Sequence, residues 1–436
     1  MSVAAQSEAP LTRTRSANWA PALAAACALV LVAATAEIVL DGALGHSILI
    51  PKSPQLAGWL QGIGERLGYR VFLIALLAFS AGYAGLALLS RSVSKRWAIA
   101  LIATLHAIVF VGPILLSTDV FSYIAYARMG VEHGLNPYTH GPASIVHDPI
   151  YHYVGQSWKK TETAYGPIYT LLSYPFALLG VTGAVWGMKA LAMIASALTL
   201  LLTWRCALAR GRDPVAAIVL VGANPLYVIY ALGGAHNDLI MMALMMAAVA
   251  LTFSRRDGAA AATVVVGALV KATVAALLPF MILAKRSRAQ VLGALGTLLL
   301  GALLAFAVFG IDGVNIVAAL NRDAALVSSD SFATEIAHLF GKPGVFPIDH
   351  DLLKALLVVI VLHLLWRTWR GYDWVAASGW ALLAISVTST WLLAWYILWP
   401  LPLAAISRDR RLLAATLALQ GLFIVHQLTP LFAPVA

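Results

Sequence analysis

An all-α, polytopic transmembrane helical bundle is the fold class this chain predicts, and three observations carry it. Hydrophobic residues make up 61% of the 436 and charged residues 11%, where a soluble chain carries about 25% charge. Apolar runs of about 18 or more residues recur from end to end. The runs are continuous and do not alternate, so helices cross the bilayer and a barrel is excluded.

The elements follow in order. Spans fall at about 18–40, 70–90, 97–116, 184–209, 214–231, 238–254, 289–310, 352–370, 374–391, 393–407 and 412–430, about eleven full crossings in one integral-membrane domain over 1–436. The first follows Arg13 and Arg15 and is long enough to span, so Ala34–Thr35–Ala36 is read inside an uncleaved signal-anchor helix rather than as a cleavage site. Segment 258–284 lies between Arg255–Arg256 and Lys285, Arg286 and Arg288, and both flanks favour the same side. It is too short for two crossings and reads as a re-entrant hairpin tipped by Lys271, a tip that must be buried in protein or face a wet cavity. Residues 166–181 are also apolar, but a crossing there would carry Arg205–Arg212 to the wrong side, so they read as a helix lying on the outer surface.

Charge fixes the orientation. With the N-terminus cytoplasmic, 18 of the 29 Lys and Arg fall in cytoplasmic loops, against five of the 19 acids. The remaining 11 basic and 14 acidic residues lie elsewhere. This layout places the C-terminus and three long segments, 41–69, 117–183 and 311–351, on the outer side of the plasma (inner) membrane. The net charge of +10 is spread in short clusters between spans, the signature of topology and not of nucleic-acid binding. Cys27 and Cys206 sit in or beside apolar runs without ligand spacing, which argues against a disulfide or a metal.

Chemistry concentrates on the outer side. Asp119 stands where the third apolar run stops, and a carboxylate there costs free energy unless it has a partner or a task. Thr118 is placed to N-cap a helix of about 119–133, ended by Gly134 and Asn136–Pro137. Asp119 would then lie in the first turn, where the dipole favours ionisation, with Tyr123 and Tyr126 on its face. His236–Asn237–Asp238 follows Gly233–Gly234 at the outer end of the span 214–231, either as a plain turn or as groups that bind hydroxyls or phosphate. Asp119, His236 and Asp238 would hold a divalent cation only if the fold gathers them.

Lys271 is an intramembrane cation, suited to an anionic lipid phosphate, with His236 or Arg128 in reserve. Trp391, Trp395, Tyr396 and Trp399 crowd one short helix, as an interfacial belt or as a wall for sugar rings. His133, His140, His147 and His152 share one loop without zinc spacing. No Gly-rich nucleotide turn within a βαβ unit occurs. A site outside the cell would also lack nucleotide sugars, which points to a lipid-carried donor.

Several of these residues carry a resemblance. Thr118–Asp119–Val120–Phe121–Ser122–Tyr123, Gly134–Leu135–Asn136–Pro137–Tyr138 and Tyr165–Gly166–Pro167–Ile168 resemble the GT-C superfamily of membrane glycosyltransferases. Gly234–Ala235–His236–Asn237–Asp238 and Ala394–Trp395–Tyr396–Ile397–Leu398–Trp399–Pro400 narrow it to the polyprenyl-phosphomannose-dependent α-1,6-mannosyltransferases of the mycobacterial and corynebacterial type, from about 100 to 410.

The resemblance implies inverting transfer of a sugar, mannose, from a polyprenyl-phosphate donor to a glycan or lipid-linked acceptor on the outer face, among membrane lipids. It makes Asp119 the catalytic acid–base residue. Tyr123, Arg128, Tyr165, His236, Asn237, Asp238, Lys271, Trp395 and Tyr396 are the substrate-binding candidates. Thr118 stands where the superfamily carries a second acid. Glu132, Asp148, Glu162 and Asp238 are the alternatives for that acid, and Mg or Mn is the cofactor option. A transporter or lipid flippase is the rival reading; it would place its polar groups near the bilayer midplane.

Overall fold

The computed structural model describes residues 19–43, 69–342, 344–346 and 348–431. Most of the expected outer segment 41–69, together with Arg13 and Arg15, lies outside them. Among the described residues all regular structure is helical. The first half contains α1 (Trp19–Ala43), α2 (Tyr69–Leu88), α3 (Lys95–Val111), α4 (Asp119–Val131), α5 (Pro167–Ala177), α6 (Gly180–Ala209), α7 (Pro214–Gly222) and α8 (Asp238–Phe253). The second contains α9 (Asp257–Ala268), α10 (Leu277–Lys285), α11 (Arg288–Phe309), α12 (Ile316–Asp323), α13 (Phe332–Leu339), α14 (Asp349–Trp369), α15 (Trp374–Thr388), α16 (Leu401–Ile406) and α17 (Arg410–Leu428).

Every predicted span coincides with helix, while helix length and composition support fewer full crossings than eleven. Among the described residues six helices are long and apolar enough to cross: Trp19–Gly42, Tyr69–Leu88, Gly180–Ala209, Arg288–Asp323, Asp349–Trp369 and Arg410–Leu431. Pro214–Gly222 and Leu226–Leu232, bent by 49°, make a seventh if taken as one broken span. Asp238–Phe253, Trp374–Thr388 and Tyr396–Ile406 are shorter apolar helices. α3 has 17 residues, at the short end of the length range for a crossing. Apolar composition cannot tell a lipid-facing span from a shorter helix buried within the bundle. α8 is of the second kind, with Leu239, Met241, Met242, Met245 and Met246 all sealed in the core. α11 is the opposite case: Leu292, Leu295, Leu299, Leu300 and Phe306 are each more than half exposed. A surface so apolar needs lipid around it.

The bundle has two chemically distinct ends. At one, Arg210 pairs with Asp373 and donates to the Ile406 carbonyl at 3.0 Å, while Tyr372 and Trp380 donate to Asp409 at 2.6 and 3.1 Å. Asp213, Asp373 and Asp409 each cap the N-terminus of the next helix, which explains acids within otherwise basic loops. At the other end, the loop after α4 meets α11 and α12. Asn136 donates to the Phe309 carbonyl at 2.8 Å, and Arg322 pairs with Glu162 at 2.8 Å. The structure thus groups the loops as charge counting groups them.

Candidate active site

The chain is steered into Asp119 by contacts on both sides of it. Lys189 of α6 donates to the carbonyls of Val109 and Gly112 where α3 ends. The Leu115 N–H then donates to the Gly233 carbonyl at 2.9 Å. Leu116 takes a left-handed φ of 54°, rare for a branched side chain. α4 starts at once, with Ser117 Oγ accepting from the Asp119 N–H at 3.1 Å. This corrects the reading of Thr118, which stands at the N-cap position without a side-chain capping bond.

The same turn holds the second motif. Asn224 ends α7 and caps a π-helical turn at Leu226–Leu232 through Leu226 N–H and Tyr227 N–H, at 3.0 and 3.2 Å. Past Gly233 and Gly234, Ala235 takes a φ of 51°. His236, fully buried, then stacks on Trp395 with ring centroids 3.5 Å apart. Its Nδ1 lies 3.6 Å from Asp119 Oδ2. Two residues on, Asp238 accepts from Lys271 Nζ at 2.8 Å on both oxygens and from Trp399 Nε1 at 2.6 Å. The Lys271 ammonium also sits 4.7 Å from the Tyr396 ring centre and 5.4 Å from that of Trp399.

Lys271 reaches this point because the hairpin tip docks on the outer loop. Gly166 N–H and Ile168 N–H donate to the carbonyls of Val270 and Leu269 at 3.2 and 3.1 Å. A Cβ on Gly166 would collide with the Leu269 carbonyl group. We expect Gly166→Ala to push the tip away, destabilising the protein by about 1–3 kcal/mol and cutting turnover. Gly296→Ala, a position with open space around it, is the control. Melting temperature and activity measured on both variants check this.

Asp119, Tyr165, Lys271, Trp395 and Tyr396 line one cavity of about 190 Å³. Three charged groups not singled out among the site residues line it too: Glu162, Arg322 and Asp323. Of these, sequence had raised Glu162 only as an alternative second acid. Arg322 and Asp323 had no signal beyond lying in a predicted outer segment. Burial raises the Asp119 carboxyl from 3.8 to about 6; Lys271 offsets part of that and Asp238 adds to it. The helix dipole therefore does not decide its ionisation, contrary to the sequence expectation. His236 is held well below its usual value, first by burial and then by the Lys271 charge, and stays neutral.

Other candidates lie off the cavity. Arg128 does not reach it: the guanidinium is spent on Asp148, at 2.9 and 3.0 Å, and on the Ala177 carbonyl at 3.1 Å. Asp148 also accepts from His133 at 2.8 Å. Burial raises its carboxyl, but the Arg128 and His133 bonds outweigh that and hold it below the carboxylate norm. Asp148 is therefore a structural anchor. Tyr123 is buried behind the wall, edge-on to Tyr165 and Tyr169 at 4.8 and 5.1 Å. His236, Asn237 and Asp238 are buried at 1% exposure or less and support the cavity from behind. Among the described residues no three His, Cys, Asp or Glu side chains gather as a metal-ligand set. Asp238 accepts from Lys271 on both oxygens.

Fold and cavity together define a helical membrane protein with a charged, aromatic-walled pocket at one end of its bundle. Residues 22–286 match the family model described as alpha-(1->6)-mannopyranosyltransferase, N-terminal domain, and residues 351–430 match the MptB C-terminal domain. The chain belongs to this alpha-(1->6)-mannopyranosyltransferase family. It is 28% identical over 341 residues to alpha-(1->6)-mannopyranosyltransferase A of Mycobacterium tuberculosis, covering 71% of this chain and 66% of that protein. The enzyme of the same name from Corynebacterium glutamicum is 31% identical over 245 residues, 55% of this chain and 48% of its own length. The matched stretches thus span between about half and two thirds of these relatives. No solved structure matches the chain.

Proposed function

We propose that this protein is a membrane glycosyltransferase that moves mannose from a polyprenyl-phosphate carrier to a hydroxyl of a glycan or lipid-linked acceptor, with inversion, on the outer face of the plasma membrane. The observation that carries the reading is the sharing of one cavity by Asp119 and Lys271. The relatives' names support mannose as the sugar and α-(1->6) as the linkage.

The acceptor hydroxyl attacks the anomeric carbon while Asp119 takes its proton. The new C–O bond forms as the bond from that carbon to the phosphate oxygen breaks. The electron pair leaves with the polyprenyl phosphate. Lys271 gives two N–H groups to Asp238 and keeps a third for that phosphate. Arg322 brings a second positive charge to the same cavity, paired there with Glu162 at 2.8 Å. Trp395 and Tyr396 present ring faces to the sugar. The polar residues crowd one end of the bundle, which favours the enzyme over a transporter.

Vesicles holding the purified protein, supplied with radiolabelled polyprenyl-phosphomannose and an α-mannoside acceptor, test this. Label is expected to pass to the acceptor, and none to pass from GDP-mannose. Vesicles that carry the lipid across the bilayer without sugar transfer would overturn the reading.

A further inference from the structure

His236 is a costly residue where it stands. It is completely buried, and neither ring nitrogen has a hydrogen-bond partner among the described residues. Burying an imidazole without partners is unfavourable, and a core aromatic such as Phe would fill the same slot without that cost. The ring is also clamped. One face lies on Trp395, and its Nε2 is packed so closely against Gly234 that a Cβ there would strike it. Nδ1 is left aimed at Asp119 Oδ2, 3.6 Å away. The two segments are held at this approach by Leu115 bonding to Gly233, and each carries a left-handed non-glycine residue, Leu116 and Ala235. Strain stored at two matched points between facing residues is the pattern of a site that function over-determines.

We infer that His236 is a positioning residue: a neutral imidazole, protonated on Nδ1, that donates toward the Asp119 carboxylate and aims its other oxygen into the cavity. The inference rests on the glycosyltransferase reading above and deepens it. A carboxylate can only accept, so the proton sits on Nδ1. Nε2, pressed against Gly234, faces no donor. The 3.6 Å gap closes when Asp119 turns to meet an acceptor hydroxyl, as such bonds tighten with substrate bound. Trp395 makes the link two-sided, because it lines the cavity and also bears the imidazole. A sugar resting on that indole would press on the residue that orients the base.

The charged groups around the pair are few. Asp119 faces His236, Lys271 from the hairpin tip, Asp238 from α8 and Asp323 from α12, with Ser117 bonded to its own N–H. His236 faces Asp119 and Lys271. The hydroxyls of Tyr123, Tyr165, Tyr169 and Tyr396 also feel the Asp119 charge.

The test is the acid limb of the kcat–pH profile with polyprenyl-phosphomannose in vesicles. His236→Phe keeps the stack and removes the donor. Its acid limb is expected to move up by about one unit. kcat should fall about ten- to a hundredfold, as for one hydrogen bond to a charged group, with KM for the lipid donor unchanged. His236→Asn returns an N–H close to the Nδ1 position and is expected to bring the limb back toward wild type at lower stability. In an Asp119→Asn background, His236→Phe is expected to cost nothing further. A His236→Phe protein with a wild-type acid limb overturns the inference, and so does a double variant whose losses multiply. If Asp119→Asn itself retains turnover, it is the glycosyltransferase mechanism that fails.

Discussion

Asp119→Asn is expected to leave a folded protein whose sugar transfer falls about 10²–10⁴-fold, the usual contribution of a positioned base. The other acids at the cavity are engaged: Glu162 accepts from Arg322 at 2.8 Å. Asp323 shares the cavity but lies beside Arg322, with its Oδ1 3.4 Å from the guanidinium. Asp238, sealed in the core, is held by Lys271 and Trp399. Wild-type activity should also fall as pH drops through about 6, because burial lifts the Asp119 carboxyl to that value and only the ionised form accepts a proton. Stability moves the other way. The unfolded chain protonates Asp119 near its ordinary 3.8 and the folded chain near 6. Between these values the folded state binds more protons, so this group's contribution declines as pH rises. A neutral Asn escapes the penalty and should melt at or above wild type. Measuring turnover, its pH profile and the melting temperature together checks all three. An Asn variant that is both well folded and active removes Asp119 from catalysis.

Breaking the Lys271–Asp238 pair should have the largest effect on stability. Asp238 is fully buried, and Lys271 has only a small part of its side chain exposed. Asp238→Ala strips the ammonium of both carboxylate oxygens, a loss of about 3–5 kcal/mol for an uncompensated buried charge. Lys271→Met leaves the carboxylate with the Trp399 N–H alone, and should be similarly unstable and inactive. Combining Lys271→Met with Asp238→Leu removes both charges and fills the space with apolar atoms. That double variant should recover most of the melting temperature and none of the transfer activity. Intrinsic tryptophan melting curves give the first readout and lipid-donor turnover the second. Should Asp238→Ala melt with wild type, the pair is not the clamp described here.

Much of this site was legible in the chain. A carboxylate at the end of an apolar run, a lysine in the middle of another and a row of aromatics before Pro400 are each expensive or unusual in a bilayer, so each announces itself without a fold. Arg128, a reserve cation in the sequence reading, is instead paired with Asp148, twenty residues on. Arg322 and Asp323 stayed hidden. Charges in a predicted outer segment are ordinary, and only the packing of α12 over the loop that carries Glu162 brings them to the cavity. His236 was noticed, but as a group for substrate. Sequence cannot show that a polar residue is sealed behind a tryptophan.

By itself the sequence determined the class of protein, the sorting of its loops between two ends and the identity of its costly charges, since all three follow from what hydrocarbon tolerates. The tertiary structure decided how many helices are long enough to cross, which charges share one void and which are spent on each other. Those outcomes depend on close approaches between segments far apart in the chain, such as Gly166 on Leu269 and Leu115 on Gly233, and no local pattern of residues encodes them.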